Sequence, residues 1–243
     1  MPIYRPTTAR TGSPAVKAFA SVLGLATLAL AAQPAMATTI VDPTGDILPT
    51  FSGPHTGAAS GPFDVISASA IQDGSAVKLS VTLNGPATAT TYIFGVNRGA
   101  GTAIFQTLSP PVGAGVTFDA VAVLLPGGGS LVQLLPSMAV TPLSEVSFSG
   151  NTVTAIIPLG DFPSTGFTPA NFLYNVWPRN GLNPLDNTQI SDFAPDASDF
   201  AASAVAAVPE PSAWALMLLG IGAVGAALRG RRRLASSPAA MAT

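Results

Sequence analysis

From about residue 60 to residue 160, apolar and polar positions change places with a period of two. Val65-Ile66-Ser67-Ala68-Ser69-Ala70-Ile71 follows Asp64 in near alternation, Asp73-Gly74 supplies turn chemistry, and Ala76-Val77-Lys78-Leu79-Ser80-Val81-Thr82-Leu83 alternates again before Asn84-Gly85-Pro86. Successive side chains of a strand point to opposite faces, so this pattern predicts a β-hairpin with one face turned to a core. The theme repeats over residues 91–96, 116–125, 130–135, 145–149 and 152–157, with turns at Asn97-Arg98-Gly99, Pro126-Gly127-Gly128-Gly129 and Gly150-Asn151. Many short strands punctuated by Gly and Pro, with no long amphipathic helix among them, predict an all-β fold: a single antiparallel β-sandwich, jelly-roll-like, over residues 38–203.

Both ends break this pattern. Arg5, Arg10 and Lys17 precede an apolar run over residues 18–32, and Ala35-Met36-Ala37 offers the small side chains that signal peptidase accepts. That layout predicts a secretory signal peptide over residues 1–37, cleaved after Ala37, with Ala35 and Ala37 flanking Met36 in the recognition site. At the other end Val208-Pro209-Glu210-Pro211-Ser212 closes a linker over residues 204–212. Sixteen uncharged residues, 213–228, follow, and then Arg229, Arg231, Arg232 and Arg233. As a helix the uncharged run spans about 24 Å, short of a hydrocarbon core of about 30 Å unless arginines snorkel and the bilayer thins. Read as a transmembrane helix, it keeps the basic tail, residues 229–243, cytoplasmic and leaves Glu210 and everything before it outside, the orientation the leader also gives. Gly220-Ile221-Gly222-Ala223-Val224-Gly225 satisfies G-x-G-x-x-G inside this run, but a dinucleotide fingerprint needs a preceding strand and a later acidic residue, and neither is there.

Pro209-Glu210-Pro211, the apolar span and the arginine cluster, in that order, resemble the PEP-CTERM sorting signal of exported bacterial proteins. The resemblance covers about thirty residues and implies an exosortase that recognises the Pro-Glu-Pro motif and processes the anchor. It also implies a membrane-held and then surface or matrix location in a Gram-negative-type bacterium that makes extracellular polysaccharide. The tail beyond Arg233 departs from the family, whose members usually stop soon after their arginines.

Composition sharpens the picture. The 243 residues include no Cys and one His, which excludes disulfide scaffolds, thiol nucleophiles and a multi-histidine zinc site within one chain. The net charge of −2 hides an uneven distribution: residues 38–208 hold ten Asp and one Glu against Lys78, Arg98 and Arg179, a net of −8. Such a domain repels phosphate backbones, so no nucleic-acid partner is expected. Outside the cell its carboxylates are suited to Ca²⁺, a hard ion that takes oxygen ligands. Asp42-Pro43-Thr44-Gly45-Asp46, with Asp64 opening the next strand, is the candidate calcium site; the same aspartates also suit turns in which Asp bonds its own backbone.

A second candidate is Phe172-Leu173-Tyr174-Asn175-Val176-Trp177-Pro178-Arg179, which with Ile156-Ile157-Pro158-Leu159 before it resembles the late strands of family-nine-type carbohydrate-binding modules and DOMON-like sandwiches. The resemblance implies a sugar stacked on Trp177, with Tyr174, Asn175 and Arg179 beside it, and a calcium held near an aspartate-rich start. A second tryptophan expected of a sugar clamp is missing from the domain. Packed inward, Trp177 would instead be core. Carboxylate pairs among Asp161, Asp186, Asp192, Asp196 and Asp199 satisfy the bare requirement of glycoside hydrolysis, but nothing singles out one pair, and His55 sits in Gly53-Pro54-His55-Thr56-Gly57 without a recognisable nucleophile. The cluster Asp192-Phe193-Ala194-Pro195-Asp196-Ala197-Ser198-Asp199 reads as a solvated turn. These readings lead to a non-enzymatic, structural or adhesive surface module that meets signal peptidase, exosortase and extracellular polysaccharide, with carbohydrate binding and hydrolysis as alternatives.

Overall fold

The computed structural model describes residues 39–204 and 211–235. The predicted signal peptide and its cleavage site, Ala35 and Ala37, lie outside the described residues, as do Pro209, Glu210 and the end of the tail.

Two antiparallel sheets build the domain, and neither closes into a barrel. The first contains β1 (Thr39–Val41), β2 (Val65–Gln72), β3 (Ala76–Leu83), β9 (Thr152–Pro158) and β8 (Val146–Ser149) in spatial order, with β12 (Ser203–Ala204) added in parallel along β2. The second runs β11 (Phe200–Ala201), β10 (Leu173–Arg179), β4 (Thr91–Asn97), β5 (Ala120–Leu124), β6 (Leu131–Leu134) and β7 (Val140–Pro142). The predicted hairpin is β2–β3: Asp73 Oδ1 accepts from the Ser75 and Ala76 amides at 2.9 and 2.8 Å, and Gly74 takes φ +93 to close the turn. The strand expected over 116–125 is shorter in the structure, because residues before Ala120 leave the sheet to cover it.

The two sheets bury their faces differently. In β3, Val77, Leu79, Val81 and Leu83 point inward and are fully buried, while Lys78 is exposed. This is the one-sided pattern of a solvated antiparallel sheet. Every residue of β4 is buried. Tyr92, Phe94 and Val96 face the first sheet within the main core, which also holds Val153, Ala155, Ile157, Tyr174 and Val176. Ile93, Val121 and Trp177 point the other way, into a second apolar cluster with Phe105, Val112, Val116, Phe118, Ile190 and Phe193. Those last six come from connections, so irregular chain, residues 99–118 and 180–195, roofs the outer face of the second sheet. Gly95 makes the fit possible: a Cβ there would lie 2.7 Å from Trp177 Cζ3.

A buried irregular roof must satisfy its own backbone. Asn187 Nδ2 donates to the Phe105 and Pro110 carbonyls at 2.9 and 2.7 Å, and Asn175 Nδ2 to those of Pro195 and Ser198 at 2.7 and 2.8 Å. Arg98 Nε meets Asp119 Oδ1 at 3.1 Å, and its other nitrogens donate to the Pro163 and Asp119 carbonyls, both at 2.8 Å. Removing one member of such a buried pair typically costs about 3–5 kcal/mol, because the other charge is left without an answer.

The helix expected after the Pro-Glu-Pro motif is present as α1 (Pro211–Ala235). Its described apolar side chains, including Leu216, Met217, Leu218, Leu219, Ile221, Val224 and Leu228, are all exposed, and so is Arg229. The expectation of a transmembrane helix over 213–228 is corrected: no helix among the described residues is long and apolar enough to cross a membrane. The uncharged stretch ends at Arg229, and α1 continues through Arg231, Arg232 and Arg233, so its length exceeds its apolar reach.

Burial also fixes an alkaline limit. The Tyr92 hydroxyl donates to the Pro62 carbonyl and accepts from the Ala89 amide; the Tyr174 hydroxyl accepts from Gln72 Nε2. Burial pushes both phenols up from 10 to about 12. A group whose folded pKa is raised contributes stability that is intact below its unfolded pKa and disappears as pH climbs to the folded value. Denaturant midpoints should therefore show no tyrosine-linked decline below about pH 10 and should fall from there to about pH 12. The Tyr92→Phe, Tyr174→Phe double variant should flatten that fall; an unchanged slope in the double variant would contradict the assignment.

Candidate metal centre

The chain leaves β1 into Asp42-Pro43-Thr44-Gly45-Asp46, where the Asp42 amide still bonds the Ile66 carbonyl of β2 at 3.1 Å. Proline and a glycine at φ +85 then turn the chain back on itself. The turn is held by Asp64, to which Gly45 N–H donates at 3.0 Å on both oxygens and Asn84 Nδ2 at 2.8 Å. These bonds bring Asp42 and Asp46 together beside the roof. From the far end of the sequence the roof contributes Asp192, held between two bridges that pair Arg179 with Ile190 and Val176 with Ala194.

Asp42, Asp46 and Asp192 each place a carboxylate oxygen within 4.8 Å of the others. Asp42 is 5% exposed and Asp192 fully buried. Asp192 Oδ2 accepts from the Val65 amide at 2.8 Å and Oδ1 from the Phe193 amide at 2.7 Å. Asp42 Oδ2 is buried without a hydrogen-bond partner among the described residues, and the Asp46 oxygens have no partner beyond Asp46's own amide. Burial, with Asp46, Asp196 and Asp64 adding repulsion, pushes Asp42 up to about 7. Burial, opposed by the Val65 and Phe193 amides and reinforced by Asp42 and Asp46, pushes Asp192 up to about 9. Asp46 is raised chiefly by burial. Like charges and desolvation act together here, the arrangement in which buried carboxylates most need a proton or a cation.

The site differs from the one expected. Asp64 is occupied with amide donors and positions the loop, and Asp192 takes its place among the converging oxygens. The turn expected to be solvated over 192–199 is solvated in its middle, where Asp196 is exposed, but Asp192 is sealed inside. Its burial depends on contacts with Val65, 127 positions away in sequence, which no local pattern signals.

The expected sugar clamp is corrected as well. Tyr174 and Trp177 lie on opposite faces of β10, and Tyr174 sits in the core between the sheets. The Trp177 ring is 1% exposed and is enclosed by Phe105, Phe118 and Phe193 at centroid distances of 5.0, 5.2 and 5.9 Å. Asn175 Nδ2 donates to the Pro195 and Ser198 carbonyls, and Arg179 Nη2 to those of Asn183 and Asp186. Trp177 and Arg179 do line one cleft of about 350 Å³, but apart from Thr91 and Gln133 its other walls are apolar or glycine, among them Ile93, Phe105, Leu182 and Leu185. His55 lies exposed in its loop and bonds the Phe51 carbonyl at 2.9 Å.

Residues 207–233 match the model of the PEP-CTERM protein-sorting motif. The chain carries a PEP-CTERM sorting motif at its C-terminal end. The match places the Pro-Glu-Pro element immediately before and at the first residue of α1, and covers the apolar run and the arginines after it. The motif implies export, a membrane-anchored stage of sorting and an exosortase as processing partner. No curated protein matches the chain.

If Trp177 belongs to the roof, Trp177→Ala should destabilise the domain by about 3–5 kcal/mol through lost packing and a cavity. Chemical denaturation measures this; a loss below about 1 kcal/mol would contradict a buried role.

Proposed function

We propose that this protein is a non-catalytic structural or adhesive component of the bacterial surface or of its exopolysaccharide matrix. Signal peptidase removes residues 1–37, the sandwich folds outside, and the C-terminal segment holds the chain at the membrane until an exosortase acts at Pro209-Glu210-Pro211. The matched motif at residues 207–233 supports the export and sorting parts of this reading. Prolines on both sides of Glu210 favour an extended backbone that a processing enzyme can engage.

The character of α1 supports an apolar surrounding during sorting. Leu216, Met217, Leu218 and Leu219 occupy four successive positions, so apolar side chains project on every side of the helix, and all four are exposed. A helix of that kind is stable in a lipid or protein environment that covers it. The use of polar groups supports a structural role for the sandwich. Arg98, Asp119, Asn175 and Asn187 are buried and bonded to loop backbone, which fixes the roof in place.

Replacing Pro209, Glu210 and Pro211 with alanine tests the sorting step in the native host. The parent chain should appear shortened at the surface or in the medium, whereas the triple variant should accumulate at full length in the membrane fraction. Equal processing of the two would contradict exosortase recognition of this motif.

A further inference from the structure

Two anionic side chains almost wholly removed from water, and a third at their edge, meet where the first strand of the domain reaches its roof. Their charge has no cationic answer among the described residues. The one described ion pair, Arg98 with Asp119, lies elsewhere, and the Arg179 guanidinium is bound to the Asn183 and Asp186 carbonyls. Asp42 Oδ2 is sealed from solvent with no hydrogen-bond partner among the described residues. Each Asp192 oxygen accepts a single amide, which leaves lone-pair capacity on both.

We propose that Asp42, Asp46 and Asp192 bind one divalent cation of the calcium class, which latches the first residues of the exported domain to its roof. The geometry fits that ion. Calcium binds oxygens at about 2.3–2.6 Å, so two ligands on opposite sides of one ion stand about 4.6–5.2 Å apart. The carboxylate oxygens here lie within 4.8 Å of one another, so the three converge on a space of the size one such ion fills. The chemistry selects the same class. The donors are hard carboxylate oxygens with no thiolate or imidazole beside them, and magnesium prefers to keep several of its waters, which a site this enclosed does not favour. Asp196, exposed at the rim and close enough to act on Asp42 and Asp46, adds negative potential.

Asp64 is the positioning residue. By holding Gly45 and Asn84 it sets the turn that aims Asp42 and Asp46 at Asp192. Asp192 lies 146 and 150 positions from Asp46 and Asp42, so the ion closes a loop that includes nearly the whole domain. Binding energy for the folded state alone then appears as stability.

Thermal unfolding of the purified full-length chain tests the latch, in chelator, in calcium and in magnesium. Calcium at about a hundred times its dissociation constant should raise Tm by about 5–10 °C over chelator, with a smaller rise in magnesium. Asp42→Asn and Asp46→Asn should each lower the apparent calcium affinity about tenfold or more. Asp46 makes few other contacts, so its variant should keep the fold and remain readable. Asp161→Asn, remote from the site in the sequence and absent from the cluster, should respond like the parent. Absence of a calcium shift, or a shift as large as the parent's in either ligand variant at the same calcium concentration, would overturn the site; an equal shift with magnesium would overturn the choice of ion.

Discussion

A sheet that is apolar on both faces must be covered twice, and the second sheet of this domain has one regular partner. Its inner face packs on the first sheet; its outer face, with Ile93, Val121 and Trp177, is left for connecting chain to cover. Irregular chain satisfies little of its own backbone, so burying it requires side chains that reach in and bond it. Arg98, Asp119, Asn175, Asn187, Ser191 and Asp192 are buried for that reason, and most of their bonds go to backbone atoms of the roof or the strands beneath it. The roof thus brings carboxylates into low dielectric, and the strongest electrostatic demand in the domain arises as a consequence of covering one sheet.

The first sheet was legible in the sequence because its signal is local. Val77, Leu79, Val81 and Leu83 alternate with Lys78, Ser80 and Thr82, and Asp73-Gly74 marks the turn; each feature lies within a few residues of the next. The second sheet gave a weaker signal. In Thr91-Tyr92-Ile93-Phe94-Gly95-Val96 the outward positions carry no charge, which betrays burial on both faces but does not say what covers the outer one. The roof residues Phe105, Phe118, Ile190 and Phe193 are scattered through Gly- and Pro-rich connections, where period-two reasoning has nothing to grip.

The candidate site was half legible for the same reason. Asp42 and Asp46 share one short turn, and their spacing around Gly45 suggests convergence. Asp64 is near them in sequence and was grouped with them, yet its oxygens answer Gly45 and Asn84 instead. Asp192 belongs to a Pro- and Ser-containing stretch whose composition suggests solvent; only the fold, through the Val65 amide and the bridges on either side, draws it inward. The terminal motif needed no fold at all, since Pro-Glu-Pro, an apolar run and arginines in order form a linear signal that a processing enzyme reads directly. Sorting and folding are therefore encoded in separate stretches of the chain.

Export, which the motif implies, would bring the domain to surroundings that can supply the proposed ion. The most direct view of that ion is anomalous diffraction from crystals of the protein grown with calcium. A single peak bonded at about 2.3–2.6 Å to oxygens of Asp42, Asp46 and Asp192 is the expected result. No peak, with the carboxyl groups instead at hydrogen-bond distance from one another and sharing protons, would contradict the account.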